Sequence, residues 1–163
     1  MLDRELLIFG CGNSLLGDDG FGPAVIEYLT TNFELPSTVS AMDVGTGIRG
    51  ILFDLMLIEE KPRKVIVIDA VDFPDRAAGE VFEIPVEGVP AKKVSDFSMH
   101  QFPTVNMLKE LKDHAQLDVQ IFVVQIESIP DEVRPGLSEA VRGAVPRVCE
   151  LLMGEIEKTI PEK

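Results

Sequence analysis

LLIFGCGNSLLGDDGFG, Leu6 to Gly22, is the stretch from which the rest of the chain is read. It opens with four apolar residues, Leu6–Phe9, a run too short for a helix and suited to a buried strand. A glycine-rich turn follows. Pro23–Thr31 then places Val25, Ile26 and Leu29 at helical spacing, and Gly22–Pro23 suits a helix start because proline pre-sets φ and its missing N–H is not needed there. The sequence is that of a β-strand, a turn and an α-helix. Turns of this kind usually bring backbone N–H groups to a phosphate. Here the turn carries Asp18 and Asp19 and no basic residue from Gly10 to Gly22. Carboxylates repel phosphate and attract cations, so the loop reads as built for a metal or a basic group. On this loop alone, two acids in a solvated turn before a helix N-terminus explain the residues equally well.

Outward from this unit the alternation continues. Val39–Val44 is a short strand and Ile51–Ile58 a helix with Leu52, Leu55 and Met56 on one face. Val65–Ile68, an unbroken β-branched run, is a strand ending at Asp69. Val81–Ile84 is a shorter strand, residues 86–103 a long connection, and Thr104–Lys112 a helix. Val119–Ile126 is another strand, and Ser138–Ile156 a closing helix expected to bend near Pro146. Strands alternating with helices predict an α/β fold, a three-layer sandwich with a mostly parallel twisted sheet, the strand near Val81 being the candidate for an antiparallel one. The chain reads as a single domain over 1–163, with Thr159–Lys163 a frayed tail.

Composition narrows the function. A formal net charge of −13 argues against nucleic acid and anionic membranes, which both demand a basic face, and allows a basic or cationic partner. Cys11 and Cys149 are too few for a disulfide framework and read as core residues in a reducing, cytoplasmic setting. The opening, with Asp3, Arg4 and Glu5, does not read as a signal peptide, and no apolar run approaches the ~20 residues that span a bilayer.

Sites in open α/β sheets form outside the carboxyl ends of the strands. That rule selects Gly10–Asp19, Asp43–Gly47, Asp69–Asp72 and the connection carrying His100. A carboxylate of the Asp18–Asp19 pair, Asp69 and His100 make an O,O,N set, suited to a divalent ion with open coordination positions. Each also has a plain structural reading: Asp69 as a cap, His100 as an ordinary loop histidine. Asp72 and Asp75 read as solvent-facing, and His114, beside Asp113, as a surface residue near a helix C-terminus.

Other chemistries fit less well. The dinucleotide fingerprint G-x-G-x-x-G matches at Gly10 and Gly12 and fails at Leu15, and a P-loop lysine is absent. A nucleotide- or small-molecule-binding α/β module without enzymatic activity is the main alternative. A phosphoacceptor domain would use an acidic pair directly after the first strand and a lysine ending the last; Asp18 lies well beyond Phe9 and Gln125-Ile126-Glu127 offers no lysine. H-E-x-x-H is absent, and no histidine is placed to activate Ser14.

The chain resembles the [NiFe]-hydrogenase maturation endopeptidases. Their opening pattern G-x-G-N-x-L-x-x-D-[DE]-x-x-G appears as GCGNSLLGDDGFG, the aspartate–glycine–threonine element as Asp43-Val44-Gly45-Thr46, the strand ending in Asp-Ala as Val65–Ala70, and the histidine–glutamine pair as His100-Gln101. A Gly-Leu-[Ser/Thr] element opens the last helix as Gly136-Leu137-Ser138. The segment SMHQFPTVNMLKELK is most similar to the branch serving deazaflavin-reducing hydrogenases of methanogenic archaea. The resemblance implies a phosphorylase/hydrolase-like sandwich and an enzyme that removes the C-terminal extension of a hydrogenase large-subunit precursor after nickel insertion. It implies that Asp19, Asp69 and His100 are the catalytic, metal-contacting residues, and that Asp43, Gly45, Thr46 and Gly47 recognise substrate. Nickel is then supplied by the substrate, with no organic cofactor. Asp19 stands where several relatives have glutamate, which keeps an oxygen donor with a shorter reach. Asp18, pointing the other way along the turn, is expected to cap or brace the loop.

Overall fold

A computed structural model describes residues 2–86 and 101–161. Five strands, β1 (Leu6–Cys11), β2 (Val39–Gly45), β3 (Lys64–Val71), β4 (Val81–Ile84) and β5 (Asp118–Gln125), form a sheet in the order β2-β1-β3-β5-β4. β1 pairs in parallel with β2 and β3, and β3 with β5, while β4 runs antiparallel to β5. The helices are α1 (Phe21–Asn32), α2 (Ile48–Leu57), α3 (Gln101–His114) and α4 (Glu139–Thr159).

The pleat of β1 sorts its side chains between two cores. Leu6 and Ile8 pack with α1 and α4, through Val25, Leu29, Val148 and Leu152. Leu7, Phe9 and Cys11 pack with α2 and α3, through Leu52, Leu55, Leu108 and Leu111. Every residue of β1 and β3 is buried, as a parallel sheet covered on both faces requires. Each large apolar side chain so buried contributes about 1.5–3 kcal/mol. The result is the three-layer sandwich, antiparallel strand included.

Element boundaries depart from the sequence reading in informative ways. α1 begins at Phe21, two residues before Pro23, which sits in the first turn where its missing N–H costs no helix bond. β3 does not end at Asp69: it runs to Val71, because β5 continues the ladder through Asp69↔Val123 to Val71↔Gln125. α2 starts at Ile48 and α3 at Gln101, both earlier than their apolar periodicity indicates. α4 continues through Pro146 and carries the chain to Thr159, the first residue of the expected tail; 162–163 lie outside the described residues. Among the described residues, no helix is long and apolar enough to cross a membrane.

The amino end of the sheet holds a buried cation. Lys64 opens β3 at 6% exposure, with its Nζ 2.9 Å from Glu155 Oε2 and 3.6 Å from Asp118 Oδ2.

Candidate functional site

At the carboxyl end of the sheet, the loop after β1 folds into a 3₁₀ turn, Gly17–Gly20, that leads directly into α1. Two glycines permit its path. Gly12 has φ +136°, and a Cβ there would lie 1.9 Å from the carbonyl oxygen of Asp19. A Cβ on Gly22 would lie 2.3 Å from the carbonyl oxygen of Cys11, so the start of α1 seats directly on β1. The loop is thereby pressed against the end of its own strand.

Asp18 and Asp19 are 2% and 1% exposed, which overturns the solvated-turn reading. They have different surroundings. Asp18 Oδ1 accepts from the backbone N–H of Ser138 at 2.7 Å. Its Oδ2 accepts from the Ser138 hydroxyl at 2.9 Å and from the backbone N–H of Glu127 at 2.9 Å. It braces the loop, as expected. Asp19 Oδ2 accepts from the backbone N–H of Asn13 at 2.9 Å, within the loop itself. A parallel bridge between Leu16 and Arg134 completes the attachment: Gly17 N–H donates to the Arg134 carbonyl at 2.9 Å and Arg134 N–H to that of Leu15 at 2.8 Å.

The second loop follows β2. The exposed Asp43 accepts the Gly45 N–H on Oδ1 at 2.9 Å, closing an Asx turn, and Gly12 N–H donates to the Gly45 carbonyl at 2.9 Å. The first and second loops are thus tied by backbone. Thr46 and Gly47 are exposed beyond that tie. Asp69, 6% exposed, lies within β3 and accepts the Ala70 N–H on Oδ1 at 2.8 Å. His100 lies outside the described residues.

Cys11 reports how closely these carboxylates gather. Burial pushes its thiol well above the ordinary range, and the charges of Asp69, Asp19 and Asp43 push it further in the same direction. Two loops and the end of β3, separated widely in sequence, bring carboxylates near one thiol, which burial and their charge keep protonated. A thiol held protonated in this way is a poor nucleophile. Cys149, on α4, is pushed up to about 12 by burial alone. Among the described residues, no three histidine, cysteine, aspartate or glutamate side chains form a metal-holding group. A cavity of about 460 Å³ opens beside the loop, with Ser14, Gly20, Glu27, Asp43 and Leu137 among its lining residues.

The sequence reading missed two supporting residues. Gln125, 4% exposed at the end of β5, accepts the Phe73 N–H at 2.7 Å and donates to Asp72 at 3.0 Å, fixing the loop that follows Asp69. A glutamine inside an apolar strand was the available signal. Ser138 was noted only as part of a helix-opening element, and its partner Asp18 is 120 residues away in sequence. Elsewhere His114 is exposed, 3.7 Å from Glu110, as its helix-end position indicates.

Buried carboxylates brought by separate loops to the carboxyl end of a parallel sheet define an α/β-sandwich enzyme whose site is carried on connections. The profile of the hydrogenase maturation proteases matches residues 23–155, and the chain belongs to that family. It is 37% identical over 158 residues to the coenzyme F420 hydrogenase subunit delta of Methanothermobacter thermautotrophicus, covering 94% of this chain and 96% of that one. It is 26% identical over 157 residues to the hydrogenase 2 maturation protease of Escherichia coli, covering 95% and 92%. The solved hydrogenase maturating endopeptidase HybD of E. coli superposes with a TM-score of 0.80 at 25% identity, over 96% of this chain and 94% of that one. The [NiFe] hydrogenase maturation protease HycI of Thermococcus kodakarensis does so with a TM-score of 0.70 at 25% identity, over 96% and 93%. The protein is a hydrogenase maturation endopeptidase. The nucleotide-binding and phosphoacceptor alternatives give way to it.

Proposed function

We propose that this endopeptidase removes the C-terminal extension of a [NiFe]-hydrogenase large-subunit precursor after nickel insertion, and that the nickel it needs arrives with the substrate. The observation carrying this reading is the burial of two carboxylates at one end of the sheet: Asp19 in the loop after β1, and Asp69 next to Ile68, which pairs with Gly10 of β1. Those carboxylates offer oxygen donors, and His100 would add an imidazole nitrogen. Such a set fits a divalent ion. Without a thiolate it holds one weakly, which suits an ion that the substrate already coordinates. When bound, nickel would supply Lewis-acid polarisation beside the scissile bond.

The chain's own residues supply position and charge. Asp19 and Asp69 accept backbone N–H groups, neutral donors that orient a carboxylate without cancelling its charge. Asp43, braced by its Asx turn and lining the cavity, is the recognition group for a basic residue of the precursor, with Gly45, Thr46 and Gly47 shaping the loop around it. The net charge of −13 favours approach of a basic segment. The proposed precursor is that of a deazaflavin-reducing hydrogenase, a reading supported by the similarity to the F420 hydrogenase delta subunit. The partner is a protein, without nucleic acid or membrane, in the cytoplasm.

The test is to incubate the protein with nickel-loaded precursor, nickel-free precursor, and an isolated C-terminal peptide with excess free nickel, and to measure product masses. Only the loaded precursor should lose its extension. Efficient cleavage of the free peptide would mark an ordinary metallopeptidase and sink the substrate-borne-metal reading.

A further inference from the structure

The element Gly136-Leu137-Ser138 opens the last helix, far in sequence from the acidic loop that it touches. Its serine makes two of the three hydrogen bonds that hold the Asp18 carboxylate, one from N–H at 2.7 Å and one from the hydroxyl at 2.9 Å. We propose that Ser138 is a positioning residue for the acidic loop, acting through Asp18 to set where the carboxylate of Asp19 points. The inference rests on the reading of Asp19 given above.

The geometry carries it in three steps. Asp18 and Asp19 are consecutive in a four-residue 3₁₀ turn, so a backbone shift that follows loss of the Asp18 contacts carries Asp19 with it. The turn cannot relax towards β1, where Gly12 already meets the Asp19 carbonyl with no room for a Cβ. On the opposite side, the turn is held by the Leu16–Arg134 bridge and by the donors to Asp18, of which the Ser138 hydroxyl is the one supplied by a side chain. Ser138 is fixed in turn at the head of α4, whose Val141, Ala144 and Val148 lie in the core. The last helix thus sets the direction of a carboxylate in the first loop.

The test compares Ser138→Ala, Ser138→Thr and Asp19→Ala on nickel-loaded large-subunit precursor purified from the same cells, with kcat and KM measured well below each variant's Tm. A purely stabilising serine would leave kcat unchanged there, since nearly all molecules remain folded. A positioning serine should lower kcat about tenfold on removal, because small displacements at a reacting centre are costly, and leave KM within about twofold. Ser138→Thr, which keeps the hydroxyl, should restore kcat. If Ser138→Ala does not fold, Asp18→Asn replaces it: the side chain keeps its shape, loses one acceptor, and should show the same kcat loss. Wild-type kcat in Ser138→Ala or Asp18→Asn, with Asp19→Ala inactive, overturns the inference and leaves the proposed function standing. Wild-type activity in Asp19→Ala overturns both.

Discussion

The two ends of the sheet handle buried charge in opposite ways. At the amino end, Lys64 meets Glu155 and Asp118, so a cation is answered by anions. At the carboxyl end, Asp18, Asp19 and Asp69 accept hydrogen bonds from backbone N–H groups, and Asp18 from a serine hydroxyl as well. Opposite charges cancel and leave little field outside the pair. Backbone and hydroxyl donors fix the orientation of a carboxylate, and the nearby acids add to burial in raising the Cys11 thiol. The first arrangement serves stability. The second sets the direction of carboxylates at the end of the sheet where the proposed site lies.

The comparison breaks most sharply if adjacent carboxylates prove interchangeable. Asp19→Ala should abolish processing while circular dichroism and Tm stay near those of the wild type. Asp18→Ala should keep measurable processing and lose about 2–3 kcal/mol of stability in urea, because it leaves buried backbone donors unanswered. Equal loss of activity in both, with both folded, would contradict the assignment. A second large effect is expected at Gly12→Ala. Its Cβ would lie 1.9 Å from backbone oxygen at a positive φ, so the loop must shift, with a cost above about 2 kcal/mol and loss of processing.

The amino end yields a smaller, pH-dependent effect. Burial raises the Glu155 carboxyl, but hydrogen bonds from Lys64 and Gln120 and the charges of Lys64 and Lys158 outweigh it, so its pKa is lowered overall. A lowered folded-state pKa gives stability that is present above the unfolded glutamate value and lost as pH falls through the folded one. The urea midpoint should therefore drop as pH falls from about 5 to about 3, and Lys64→Met should flatten part of that drop. An unchanged acid limb in Lys64→Met would show that the pair carries none of it. The smallest effect is at the thiols: with Cys11 raised and Cys149 at about 12, iodoacetamide at pH 8 should leave both cysteines unlabelled until the protein unfolds.

Much of this was legible in the sequence because local periodicity and burial agree there. Val65–Ile68 could hardly be anything but a buried strand, and the Val81 strand stood apart between Gly79 and Pro85. The extent of β3 past Asp69 was not legible, since a charged residue normally signals a strand end and only the pairing with β5 overrides it. The candidate carboxylates were visible as loop residues at strand ends. Their burial was not, because it depends on Ser138, Glu127 and Arg134, which no local pattern links to residue 18. Nor did sequence separate Asp18 from Asp19 by more than alternation along a turn, until partners 109 and 120 residues away distinguished them.

Those separations bear on the order of events in biosynthesis. Loop closure over such distances comes late in folding and cannot occur until the far partner exists. A chain still emerging from the ribosome has its acidic loop from the start, yet lacks the donors of residues 127 and 138 that lock it. The peptidase is therefore expected to acquire a competent loop only when its last helix has formed. A nascent or truncated copy, released early, would carry the acidic sequence without the geometry to cut.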